Sequence, residues 1–248
     1  MRFTSSMILF RRFTKLMKSE PEKKSFGWVV GENKIFAAND IRQLRNACLN
    51  FKDEGIRHNK FYLVRDWFMI ELGLFTGLRV DEMRQLMVGD LLINDSQSSV
   101  FVKNGKGVRQ RSVWKNKEFK IICQEFLTLR IQFELSNEIN ENLLTSSEGI
   151  PLTKRYLQKA FKRYVRKAGL TERYSIHCLR HTYGTFLLKA SQNIKLVKEQ
   201  LGHASIKTTE VYISLINEDR KVALARLYEI KVLPETKPKR EGRYRIRH

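Results

Sequence analysis

Apolar positions recur three or four apart over most of the chain, and the elements they predict are short helices broken by glycine. Residues 1–35 are the exception. Pro21, the charges Glu22, Lys23 and Lys24, and Gly27 and Gly31 predict an arm or loop there, with one short strand at Gly27 to Val30. Ile41, Leu44, Cys48 and Phe51 then share a helical face, with Asn39 or Asp40 placed as N-cap and Gly55 as the stop. The segment 60–76 is apolar on nearly every side, as a helix in the middle of a bundle is, and it stops at Gly77. A short helix over Val80 to Met87 follows, closed by Gly89–Asp90.

The period then shortens. LLIN, SSVFV and RQRSV read as strands, and Asn104–Gly105 with Gly107 makes the last two a hairpin. A long helix fits 117–135, with Phe119, Ile122, Cys123, Phe126 and Phe133 on one face. Another fits 153–168, capped by Thr153 and closed by Gly169. Helices at 176–190, 194–200, 206–213 and 218–229 complete the pattern, with Asn193, Ser205 and Asn217 as caps and Gly202 as a break. The expected fold class is α+β, mainly helical, with a small antiparallel β-sheet, over residues 36–232. Residues 1–35 read as a basic N-terminal arm and 233–248 as a basic disordered tail. No internal repeat is visible.

Charge changes the picture. Across 248 residues, Lys and Arg total 47 against 26 Asp and Glu, a net charge of +21 with a pI near 10.1. Such an excess suits a polyanion, with nucleic acid first because phosphate contacts release counterions, and an anionic membrane surface second. The longest apolar run, FYLVRDWFMIELGLF, is broken by Arg65, Asp66 and Glu71, so no membrane span is expected. Cys48, Cys123 and Cys178 are odd in number and widely spaced, which fits a reducing, cytoplasmic setting without disulfides. The basic first 19 residues share the composition of an organelle transit segment, but an arm is the preferred reading.

Several polar residues fall on or beside apolar elements. They are Arg79 in TGLRVDEM, Lys106 in NGKGV, His177 and Arg180 in SIHCLRHTYGT, His203 in QLGHAS and Tyr212 in TTEVYISL. Each alone also suits a plainer role. Arg79 can be the buried partner of Glu82 at i+3, Lys106 a solvated hairpin tip, His203 a cap and Tyr212 a core residue. His177 and His181 stand at the i,i+4 spacing of a zinc pair, but the Glu of a metalloprotease and a third ligand are missing.

Taken in order, HCLRHTYGT, LGHASIKTT and VYISL resemble the tyrosine recombinase, or phage integrase, family over residues 36–232. The resemblance implies a catalytic domain of that type. By position it assigns Arg79 and Arg180 as the catalytic arginines, Lys106 as the catalytic lysine with Lys103 a weaker substitute, and His177 and His203 as the histidines. Tyr212 becomes the nucleophile, and Glu82 and His181 supporting residues. It further implies site-specific recombination of double-stranded DNA by a homo-tetramer on two DNA sites, with DNA-bending or directionality proteins as candidate accessories and a mobile genetic element as one setting.

The residue types fit that chemistry. Two guanidinium groups are planar, permanently charged donors for the oxygens of a phosphodiester. A tyrosine attacking that phosphate gives a 3′-phosphotyrosine, which a free 5′-hydroxyl reseals without ATP. Fixed cations stabilise the transition state, so neither cofactor nor metal is expected. Two departures from the family pattern stand out. About 35 residues precede the catalytic region, too few for the separate core-binding domain most members carry, and Ser214 stands where a histidine is common. The competing readings are a non-catalytic DNA-binding relative or regulator, a swivelling topoisomerase of the related tyrosine class, and a basic RNA-binding protein.

Overall fold

The computed structural model describes residues 34–93, 98–103, 110–203 and Thr209. Helix α1 (Ala38–Arg57) precedes α2 (Phe61–Thr76) and the short α3 (Val80–Gln85). A 3-10 turn (Val88–Asp90) leads into β1 (Leu91–Ile93), β2 (Ser98–Val102) and β3 (Arg111–Trp114). Helices α4 (Lys117–Gln132), α5 (Lys154–Lys167), α6 (His177–Ser191) and α7 (Ile194–Leu201) follow. The expected mainly helical fold with a small antiparallel sheet is thus present.

Helix α2 forms the centre, because nearly all its side chains are buried and α1, α4, α5 and α6 pack around it. Phe68 of α2 stacks on Phe126 of α4 at 3.9 Å between ring centroids. The three charges that interrupt its apolar run are buried and paired: Arg65 with Asp66 at 2.9 Å, Asp66 also with Arg163 of α5, and Glu71 with Arg45 of α1 at 2.9 Å. Burying them unpaired would cost several kcal/mol each. The sheet has the order β1-β2-β3 with both pairs antiparallel. Its register sets Leu91 opposite Val100 and Val100 opposite Val113, so three buried side chains make one row toward the core.

Four expected boundaries move, three of them for a tertiary reason. Helix α1 begins at Ala38, and neither Asn39 nor Asp40 caps it. Asp40 instead accepts a hydrogen bond from the Tyr174 hydroxyl at 2.6 Å, and the chain entry is fixed by buried Phe36, whose N–H donates to Thr182. Gly55 does not stop α1, which runs to Arg57. Its missing Cβ lets α2 approach, since a Cβ there would lie 3.0 Å from Leu63 Cβ. Helix α3 ends at Gln85 because Leu86 and Val88 exchange backbone bonds with Leu143 and Glu141. Helix α4 ends at Gln132, leaving Phe133 as its C-cap, where Glu134 takes a positive φ of 61°. Thr153 and Asn193 cap α5 and α7 as expected, accepting from Tyr156 N and Leu196 N.

The strand at Gly27 to Val30, the hairpin turn 104–109, the helices at 206–213 and 218–229 and the tail lie outside the described residues. No helix among the described residues is long and apolar enough to cross a membrane.

Candidate active site

Three chain turns meet around one carboxylate. The first is the exit from α2. Gly77 takes the left-handed φ of 60°, where a Cβ would sit 2.5 Å from the Tyr183 ring. That turn delivers Arg79 in extended backbone as the N-cap of α3. Glu82, one turn into α3, reaches back: its Oε2 accepts from Arg79 N at 2.8 Å and its Oε1 from Arg79 Nη1 at 2.9 Å. The i+3 ion pair read in the sequence is therefore real. Yet the Arg79 side chain stays 36% exposed, so the pairing orients this cation without sealing it from a ligand.

The second turn is the start of α6, which carries Arg180 almost fully buried. Its Nη1 donates to Gly77 O at 2.8 Å and its Nη2 to Leu201 O at 2.7 Å, with Nη1 lying 3.9 Å from Glu82 Oε2. One guanidinium thus joins the ends of α2, α6 and α7. The third turn ends α7. Gly202 takes the left-handed φ of 65° and turns the chain to His203, whose Nδ1 lies 3.0 Å from the hydroxyl of buried Thr209. Arg79 Nη2 approaches Gly202 O at 3.5 Å.

A third arginine, which the sequence reading passed over, completes the ring. Arg111 opens β3 and grips Glu82 with a two-pronged contact, Nη1 to Oε1 and Nη2 to Oε2, both at 3.0 Å. Its Nε donates to Gln200 O at 3.0 Å. The one available signal was strand alternation, which places Arg111 on the same face as buried Val113.

The fields of these groups follow. Burial pushes the Glu82 carboxyl up, but Arg111, the Arg79 N–H and Arg180 outweigh that and hold it below the usual carboxylate range. Burial, then Arg180, Arg79 and Arg111, push His203 down to about 3. Burial, then Arg180 and His177, push His181 down to about 4. His177 opens α6 at the exposed end, and partial desolvation, then Lys154 and Arg180, lower it too. At neutral pH the site therefore holds fixed guanidinium charge with neutral imidazoles as hydrogen-bonding groups.

Beside Arg79 an open groove of about 770 Å³ runs past Arg84, Met87 and Asp90 to Lys103. Lys103 is held there by buried Asp90 at 3.0 Å. Arg79, Glu82, Arg180 and His203 are thus brought together, with His177 and His181 on the adjoining helix. Lys106 and Tyr212 lie outside the described residues. No cluster of three or more His, Cys, Asp or Glu side chains suited to a metal ion occurs among the described residues.

The model of the phage integrase family matches residues 34–218. The tyrosine recombinase XerC of Haemophilus ducreyi is 33% identical over 178 residues, covering 72% of this chain and 55% of that protein. The tyrosine recombinase XerH of Helicobacter pylori is 33% identical over 150 residues, covering 60% of this chain and 40% of that protein. The chain spans about half the length of the curated relatives it matches. Among solved structures, the XerH site-specific recombinase bound to a palindromic difH substrate, a post-cleavage complex, aligns with a TM-score of 0.63 at 27% identity, covering 79% of this chain and 53% of that one.

Proposed function

The chain belongs to the phage integrase family, and on that premise we propose that it is a site-specific DNA recombinase, cutting and rejoining double-stranded DNA through a covalent 3′-phosphotyrosine at Tyr212. The observation that carries this reading is the fixed pair of Arg79 and Arg180, both tied to Glu82 and to turn carbonyls, with Arg79 open to the groove. Such a pair supplies bidentate donors for the non-bridging oxygens of a scissile phosphate, and no rearrangement is needed when charge develops. His203 and His177, neutral in the free protein, donate further hydrogen bonds.

The Tyr212 oxygen attacks phosphorus, the bond to the 5′ oxygen breaks, and Lys106 gives that oxygen a proton. The Tyr212 proton passes to a neutral histidine, whose protonation the arginine field opposes in the free protein and the charge of the bound phosphate then favours. Attack by a 5′-hydroxyl from another strand reverses the sequence and releases Tyr212. Exchange between two duplexes requires four such cuts, which is the role of a homo-tetramer on two DNA sites, assisted by DNA-bending or directionality proteins. The cytoplasm is the setting that suits this reading, since Cys48, Cys123 and Cys178 are free thiols.

The test is a pool of nicked duplexes with a randomised centre, where the nick lets the short cleaved strand diffuse away and traps the enzyme on DNA. Wild-type protein is expected to give a species shifted in a denaturing gel, and Tyr212→Phe none. The reading fails if wild type gives no adduct, or if the Phe variant gives the same one.

A further inference from the structure

Arg111 makes three hydrogen bonds in the site, and the chemistry of strand exchange does not call on it. Its side chain is 8% exposed, close to the 7% of Arg180, but its Nε is taken by Gln200 O and both its Nη by Glu82, so it is not placed to meet DNA itself. Instead it takes both oxygens of Glu82, whereas Arg79 reaches one of them by its side chain. The charge of Glu82 is therefore balanced mainly by a guanidinium that faces inward. Behind Arg111, Gly202 leaves the space it fills: a Cβ there would lie 2.6 Å from Arg111 Nη1. The Nε bond to Gln200 O then fixes the last turn of α7, directly before Gly202 and His203.

We propose that Arg111 is a positioning residue of the phosphate site: it neutralises Glu82 so that Arg79 and Arg180 keep their charge for a bound phosphate, and it holds the turn that presents His203. The inference rests on the strand-exchange reading only in taking the bound anion to be a DNA phosphate. Its logic is electrostatic. With Arg111 present, the three arginines and Glu82 leave two positive charges. Without it, Glu82 draws on Arg79 and one remains. If Glu82 is then also made neutral, two return. Because losing Arg111 also leaves Glu82 a buried unpaired carboxylate, a melt accompanies each variant: a residue that merely braced the fold would move stability and leave the phosphate affinity of the folded protein unchanged.

The experiment titrates inorganic phosphate into the full chain and reads the His203 imidazole resonance, identified by its absence from His203→Gln. Arg111→Met is expected to weaken phosphate binding about tenfold, the effect of one unit charge across several ångströms of partly solvated protein. Adding Glu82→Gln is expected to restore most of that loss. Should Arg111→Met not fold, the comparison is Arg111→Lys with and without Glu82→Gln. The double variant is then expected to bind phosphate about tenfold more tightly than the single one. Unchanged binding in Arg111→Met, no recovery in its double variant, or equal binding in the lysine pair overturns the proposal. The Tyr212 adduct on nicked DNA is scored separately, so its absence counts against strand exchange and leaves the phosphate series to judge Arg111.

Discussion

At the scale of residues, the two arginines proposed to face a phosphate are built differently, and they should fail differently. Arg180 satisfies two buried turn carbonyls and lies near Glu82, so Arg180→Ala strips partners from all three. We expect it to lower both DNA cleavage, by about 10²–10³-fold, and stability, by about 3 kcal/mol in a urea melt. Arg79 is partly exposed. Arg79→Ala should cost a similar factor in cleavage but only about 1 kcal/mol or less in stability. Equal stability losses would contradict this division of labour. The histidines add a pH dependence. His203 and His181 sit near 3 and 4 in the fold, below their value of about 6.5 in an unfolded chain. Their depressed values favour folding above pH 6.5, and that contribution drains away as the pH falls from 6.5 toward 4. The slope is somewhat under about 1.4 kcal/mol per pH unit for each ring, since solvent screens part of the field. Melts at pH 7 and 4.5 should differ less for His203→Gln than for wild type, and an identical difference in both would sink the account of the arginine field.

At the scale of elements, the site depends on three helix ends, and two of them turn on a left-handed glycine. Gly77→Ala must adopt φ near 60° and push its Cβ into the Tyr183 ring. We expect a loss of more than about 1 kcal/mol together with reduced cleavage, because the same turn carries Gly77 O to Arg180 and the chain to Arg79. A variant with wild-type melting and full cleavage would show that the turn matters less than argued. Helix existence was legible in the sequence here, because apolar spacing and glycine stops report local preference. Thr153 and Asn193 were legible as caps for the same reason. Asp40 was not, since its side chain is taken by Tyr174, 134 residues away. Gly55 resembled a stop but is a close-contact position against α2. Arg111 was hidden for a related reason: in a chain with 47 Lys and Arg, strand alternation alone sets it on the face of Val113, and its partner Glu82 lies 29 residues away.

At the scale of the whole molecule, the ordered motifs spread from residue 79 to residue 203 become one site because α2 and α7 end where α6 begins. Arg79 and Arg180 lie in short contact with Glu82, and Arg79 reaches the carbonyl of Gly202, directly before His203. On the proposed reading, the charge of +21 would supply the long-range attraction for DNA, and the ring at Glu82 the local geometry for chemistry. The central claim is that a phenol completes this ring of cations on a scissile phosphate. The most direct test is to digest the covalent protein–DNA species and weigh the nucleotide-bearing peptide. The account predicts the peptide containing Tyr212, linked to the 3′ end of the cut strand, with a free 5′-hydroxyl on the released fragment. A linkage at another side chain, or a link to the 5′ end, would contradict it.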